Sequence, residues 1–329
     1  MFKKKTKVSE LAKAELEFLI KFKNGFDLAE IRQEDWNQVL PNKIPLELSE
    51  LINDGLIHDA NLNQKISYSC TIAVIKELLS KNGQKVGGNK AELVERASAF
   101  INDPLIKKIQ KRMIFVLTEI GNKKLIEYLE IKKIERDEAE NKVMQYLESK
   151  DYYSASKTMT EYEAKQVFQR GMGINWNKHD PKTDVAPLKA MFSEPSKLLK
   201  GIPKNSLKYI QIAGAMMYLW GTGDGLKWLP DELKTECNGT AARMVCFRGY
   251  STRNIEGYKE GNVVKEVQIL SRDDSCDECK KMAEKTYTLL NAPELPHENC
   301  THPTGCRCTY IPVLYENHNP LKELSKKSR

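Results

Sequence analysis

"SRDDSCDECKKMAEKTYTLLNAPELPHENCTHPTGCRCTYIPV", residues 271–313, puts five of the chain's eight cysteines and two of its five histidines into 33 residues, Cys276 to Cys308. Such a concentration reads as a disulfide framework, a metal site or a reactive thiol. Spacing separates these readings. Cys276 and Cys279 form a C-x-x-C pair, at which one tight turn aims two thiolates at a single ion, and His297 with Cys300 repeats the spacing as H-x-x-C. The 17 residues between the pairs, Lys280 to Pro296, suffice for a short hairpin or helix. Cys306 and Cys308 in GCRC, and His302, are further ligand types, more than one tetrahedral ion accepts, so some are spare or a second ion binds. The candidate ligands are therefore Cys276, Cys279, His297, Cys300, Cys306 and Cys308, with zinc as the cation. The spacing leaves open which four bind and whether His302 joins them.

Competing chemistries fit less well. A redox C-x-x-C pair sits at a helix start beneath a strand and does not bring three more cysteines. Catalytic zinc keeps one open position and wants a general base such as Glu278 or Glu298, but nothing singles out either, so no catalytic residue is assigned. A histidine-metal nuclease would use His318 in ENHNP.

The rest of the chain sets the context. Its 329 residues can build more than one core. With 40% hydrophobic and 29% charged residues and a mean hydropathy of -0.54, it falls in the soluble globular class. Glu10, Lys13, Glu15 and Glu17 interrupt the first 25 residues, so no apolar core of signal-peptide length is expected. The longest apolar run, Ile212 to Trp220, is about half of a bilayer-spanning helix, and no membrane partner is expected. These features place the chain in a reducing cytoplasm, where clustered thiols serve metals rather than disulfides. The net charge of +7 admits an anionic partner, although 45 acidic residues are spread along the chain.

The expected fold is mainly α: helical N-terminal and middle regions followed by a small α+β zinc-binding C-terminal module. Residues 1–65 read as helical, with Ser9 as a cap, a stop at Asn24-Gly25, a helix from Phe26 towards Pro41, and another from Ile44 to Gly55. Residues 106–230 read as further helix and linker, including a charged helix near residues 123–150 with acid and base residues three and four apart. The GTGDG run, residues 221–225, lacks the spacing of a phosphate loop and reads as a turn. His179 reads as a lone histidine on a surface turn. Residues 316–329 read as a basic tail.

Residues 66–105 carry a second pattern. Thr71 can cap a helix with Ile72, Ile75, Leu78 and Leu79 on one side; Gly83 ends it, and Asn89 caps a second helix with Leu93, Val94 and Ala97 inward. Lysines and free amides would then meet at a helix start, an arrangement that attracts phosphate. Leu78, Gly83, Val86, Gly88, Lys90, Glu92, Leu93, Val94 and Arg96 resemble the SAP motif, a helix-extended-helix module. The resemblance implies weak, non-specific contact with double-stranded DNA, for which Lys81, Lys85, Asn89, Lys90 and Arg96 are the candidates.

The C-terminal third, residues 231–315, also resembles a known family. Arg243, Asn254, Tyr258, Gly261, Asp273 or Asp274, Cys276, Cys279, Pro296, His297, Cys300, Cys306, Arg307 and Cys308 match the pattern of the phage head morphogenesis (Mu-F-like minor capsid) proteins. Two departures stand out: Arg243-Met244-Val245 replaces the family's R-T-E, and the THPTG insertion separates Cys300 from Cys306. The resemblance implies a non-enzymatic minor head protein of a phage or prophage, with portal or capsid proteins as partners, located in the host cytoplasm and then in the virion. The alternatives are a zinc-dependent DNA-processing enzyme such as a nuclease, or a DNA-binding host regulator.

Overall fold

The computed structural model describes residues 13–31, 36, 39–40, 43–171, 174–193, 199, 202–261 and 264–313. Ser9, His318 and the basic tail lie outside the described residues. The chain forms two compact units, residues 1–135 and 136–329. It is mainly helical, as expected, and among the described residues no helix is long and apolar enough to cross a membrane.

In the first unit, residues 13–19 are helical and Gly25, at φ 86°, turns the chain into strand β1 (Phe26–Asp27). Helix α1 (Ile44–Asn53) has Pro45 in its first turn and ends before Gly55, whose φ of 67° is open to glycine at no steric cost. Then follow β2 (Ile57–Asp59), α2 (Leu62–Ser69), α3 (Ile72–Lys81), α4 (Lys90–Ser98), α5 (Pro104–Gln110), β3 (Ile114–Leu117) and α6 (Glu119–Glu148), whose residues from Arg136 onward belong to the second unit. The strands form an antiparallel sheet in the order β1-β3-β2, with Phe26 opposite Phe115 and His58 opposite Val116. The expected helix from Phe26 is corrected: Phe26–Asp27 is a strand and Leu28–Glu30 a 3-10 turn. Strands of two to four residues are too short to display the period-2 alternation by which strands are recognised.

The SAP-like pair α3 and α4 shares one core with α2 and α5: Ile66, Ile75, Leu79, Leu93, Ala97 and Ile106 are all buried together. Thr71 and Asn89 cap their helices as expected, and Asn89 forms a reciprocal box with Glu92. Ile72, placed inward by its spacing, is 46% exposed because it lies in the first turn of α3, beyond the reach of α4.

The second unit contains α7 (Tyr152–Ala164), α8 (Val185–Phe192), α9 (Lys204–Trp220), α10 (Glu236–Gly261), β4 (Glu266–Leu270), α11 (Asp277–Ala283), β5 (Thr286–Thr288) and β6 (Thr309–Pro312). Helix α9 buries every residue from Ile210 to Trp220, as a helix that is apolar nearly all round must do inside a protein core. It packs on α10 at Gly214, where an added Cβ would meet Val245 Cβ at 2.6 Å and the Ala242 carbonyl oxygen at 2.7 Å. Gly214→Ala should therefore force the helices apart and destabilise the protein by about 1–3 kcal/mol, read as a lowered melting temperature in thermal denaturation. The last elements form the expected α+β arrangement: an antiparallel sheet in the order β5-β4-β6, with α11 beside it.

Candidate metal centre

The five C-terminal cysteines converge. Cys276 is the residue before α11 and Cys279 lies in that helix's first turn, so one turn presents both sulfurs to the same side. Cys300 ends a turn in which its N-H donates to the His297 carbonyl at 3.1 Å. Cys306 and Cys308 arrive on the segment leading into β6. Gly305, at φ 80°, makes that approach: a Cβ there would meet Met244 Sδ at 2.4 Å, the same sulfur that accepts the Cys306 N-H at 3.1 Å. Asp274 and Arg307 tie the two cysteine-bearing segments together through an ion pair of 2.6 Å.

The sulfurs form two groups that share Cys279: Cys276, Cys279 and Cys300, and Cys279, Cys306 and Cys308, each within 4.8 Å of one another. Cys276 and Cys300 are 3.8 Å apart and Cys279 and Cys306 are 3.9 Å apart, and all five are free thiols. A cystine would bring a pair to about 2 Å. Two sulfurs about 2.3 Å from one zinc ion lie about 3.8 Å apart in tetrahedral geometry, so each of these two pairs has the separation of thiolates that share an ion. The cluster can hold a metal ion.

Backbone amides support this. The N-H groups of Cys279 and Thr301 bond the Cys276 sulfur, that of His302 bonds Cys300, and those of His297 and Cys308 bond Cys306. Donors of this kind stabilise thiolates and orient metal ligands. Burial pushes the Cys276 thiol up, but those amides outweigh it and hold the group at about 7. A hydrogen bond from Cys308, against burial, lowers Cys306 further, to about 5. Cys300 is pushed up to about 11, first by burial, and Cys279 is raised for the same reason. Cys308 is raised first by its hydrogen bond with Cys306. A divalent cation would resolve this division, since a coordinating thiol is deprotonated outright.

The two histidines do not join the cluster. His297, expected as a ligand through its H-x-x-C spacing, instead contributes its backbone amide to Cys306 while its imidazole stays outside both sulfur groups. Its Nδ1 is buried and has no hydrogen-bond partner among the described residues. His302 turns to Arg307 and Thr304, with Nε2 at 3.1 Å from the guanidinium and Nδ1 at 3.2 Å from the Thr304 N-H. Among the described residues, both groups of close potential ligands at this end of the chain are all sulfur. The THPTG segment supplies the turn between Cys300 of one group and Cys306 and Cys308 of the other, which meet through Cys279.

The cysteines also belong to a small apolar core with Met244, Val267, Ile269, Leu295 and Tyr310. Helix α10 braces it: Arg248 pairs with Glu294, and Asn254 Nδ2 reaches Thr309 Oγ1 at 3.5 Å.

The five residues expected to meet DNA divide in two. Lys81 and Lys85 are exposed at the turn between α3 and α4. Lys90 donates to the Ser67 carbonyl at 2.7 Å and Arg96 bonds the Glu92 and Gly87 carbonyls, so both also take part in backbone hydrogen bonds and are half-buried. Asn89 is occupied as the cap of α4.

One residue was misplaced by the sequence reading. His179 is not on a surface turn: its side chain is 9% exposed, and its Nε2 lies 2.9 Å from Asp184, itself buried. The neighbouring Asp180 caps a short 3-10 turn instead.

No family model, curated protein or solved structure matches this chain.

Proposed function

We propose that this chain is a non-enzymatic minor head protein of a phage or prophage, with zinc as the ion of the cysteine cluster. The supporting observation is that the cysteines whose spacing resembles the head morphogenesis pattern are the ones whose sulfurs gather into two groups of three sharing Cys279, with Cys276 and Cys300, and Cys279 and Cys306, at the separation of thiolates on one ion. In this reading the ion locks the sheet β5-β4-β6 and α11 into a rigid module that docks to portal or capsid proteins. The hairpin α3-α4 contacts double-stranded DNA weakly and without sequence preference, through Lys81, Lys85 and the amides of the turn between them. The chain works in the host cytoplasm during assembly and remains with the particle.

Three measurements test this. Metal analysis of protein purified under reducing conditions should find about one zinc per chain, lost together with the fold of the cysteine segment on chelation. Mass spectrometry of particles released on induction should find the chain in them at low copy; its absence from both particles and assembly intermediates would remove the head role. Lys81→Glu combined with Lys85→Glu should weaken DNA retention and reduce the slope of log affinity against log salt by roughly 2, since each lost phosphate contact takes about one unit. An unchanged gel shift would remove the hairpin from DNA binding.

A further inference from the structure

A cavity of about 150 Å³ in the second unit is used by neither the cysteine cluster nor the hairpin. Asp184 lies at its base, 2% exposed. Its Oδ2 accepts from Ser156 Oγ at 2.6 Å and faces His179 Nε2 at 2.9 Å, while its Oδ1 accepts from Tyr218 Oη at 2.9 Å and from Arg253. Four partners fill the lone pairs of the carboxylate, so it has no capacity left for a cation or a ligand donor. Its effect is to fix the groups around it.

Arg253 is the group so fixed. It meets both Asp184 and the Tyr218 hydroxyl through Nη1, and its side chain is 40% exposed. The guanidinium is planar and carries five donors, so Nε and Nη2 form a second edge held in a set orientation. The other arginine of the cavity is already committed: Arg170 bonds Glu163 and the Leu219 carbonyl and lies over Trp176. Opposite these polar groups stand Trp176, Ile174 and Tyr250. Ile174 is 44% and Tyr250 39% exposed, apolar surface that a soluble protein ordinarily covers.

We infer that this cavity binds a carboxylate bearing one ring-sized apolar group, with Arg253 holding the anion and Trp176, Ile174 and Tyr250 holding the apolar part. A flat monoanion matches one guanidinium edge in a bidentate pair. A phosphate dianion would meet Asp184 across the same arginine and be repelled by it. The volume matches a single ring, since a dry cavity of about 150 Å³ takes up benzene. Two sources present this chemistry: a free small acid, and the last residue of a polypeptide.

Isothermal titration calorimetry on the intact chain tests the assignment with four probes: phenylacetate, its neutral amide phenylacetamide, phenyl phosphate, and N-acetylphenylalanine as a chain-end mimic. One or both carboxylates should bind saturably, with the amide and the phosphate at least about 10-fold weaker, as expected for loss of one charge-assisted pair. Arg253→Gln should weaken carboxylate binding by a similar factor. Because Arg253 also holds Asp184, Ile174→Trp provides a second variant: it fills the cavity from its exposed wall and should abolish binding at an unchanged melting temperature. Binding of N-acetylphenylalanine identifies a chain terminus as the source, and binding of phenylacetate alone identifies a free acid. No saturable heat from either carboxylate up to about 10 mM, equal affinity for acid and amide, or undiminished binding by Ile174→Trp would overturn the inference.

Discussion

Cys279→Ser should unfold the segment after residue 265 while residues 13–135 stay folded. Cys279 is 1% exposed and is the one sulfur common to both groups of the cluster, so its loss leaves neither group with three thiolates. Apart from the cysteines, the buried core residues of this segment are Val267, Ile269, Leu295 and Tyr310, packed on Met244 of α10. So few apolar side chains contribute little against the entropy of ordering some fifty residues of strand and loop, at about 1–2 kcal/mol each. A structural zinc ion contributes about 10–16 kcal/mol in small metal-dependent folds, comparable with the whole stability of a domain. Limited proteolysis read by mass spectrometry should therefore show cleavage beyond residue 265 in the variant, in the same places as in chelated wild type. Cys237→Ser, at an exposed cysteine outside the cluster, should match the untreated protein. A Cys279→Ser protein as protease-resistant as wild type would mean that the sulfurs are ordinary core atoms.

The second large effect is expected at Asp184. Asp184→Asn keeps the shape of the side chain but removes the charge, leaving Arg253 without its buried partner and turning one acceptor into a donor that faces other donors. Breaking a buried pair on one side costs about 3–5 kcal/mol. Burial pushes the Asp184 carboxyl up, but the hydrogen bonds from His179 and Ser156 and the charge of Arg253 hold it below the ordinary aspartate value of 3.8. A carboxyl lowered in the folded state contributes stability that is fully present above its unfolded pKa and is lost as the pH falls through the folded one. Urea denaturation from pH 7 to pH 3 should thus show wild type losing stability below about pH 4 and Asp184→Asn losing less over that range, having less to lose. Parallel curves would mean that the aspartate is not ionised in the folded protein.

The sulfur cluster was legible because C-x-x-C and C-x-C are local: neighbours in sequence are brought together by a single turn, whatever the rest of the fold does. The helices around Thr71, Asn89 and Ile44 were legible for the same reason, since caps and glycine stops act within one turn. Asp184 gave no such signal. Its partners Ser156, Tyr218 and Arg253 are 28, 34 and 69 residues away, and only the packing of α7, α8, α9 and α10 unites them. His297 lies outside both sulfur groups for a related reason. Spacing places a residue near the sulfurs, but the turn from His297 to Cys300 decides whether backbone or imidazole faces them.

By itself, then, the sequence determined the mainly helical class, the capped hairpin and the thiols that congregate near the carboxyl end, because each depends on contacts within a few residues. Only the tertiary structure decided that the sulfurs gather in two groups with neither histidine among them, that Lys90 and Arg96 bond nearby backbone carbonyls, and that a buried carboxylate orients an arginine in a cavity. Those outcomes depend on which backbone donors and which distant side chains reach a given atom, and long-range packing sets that reach.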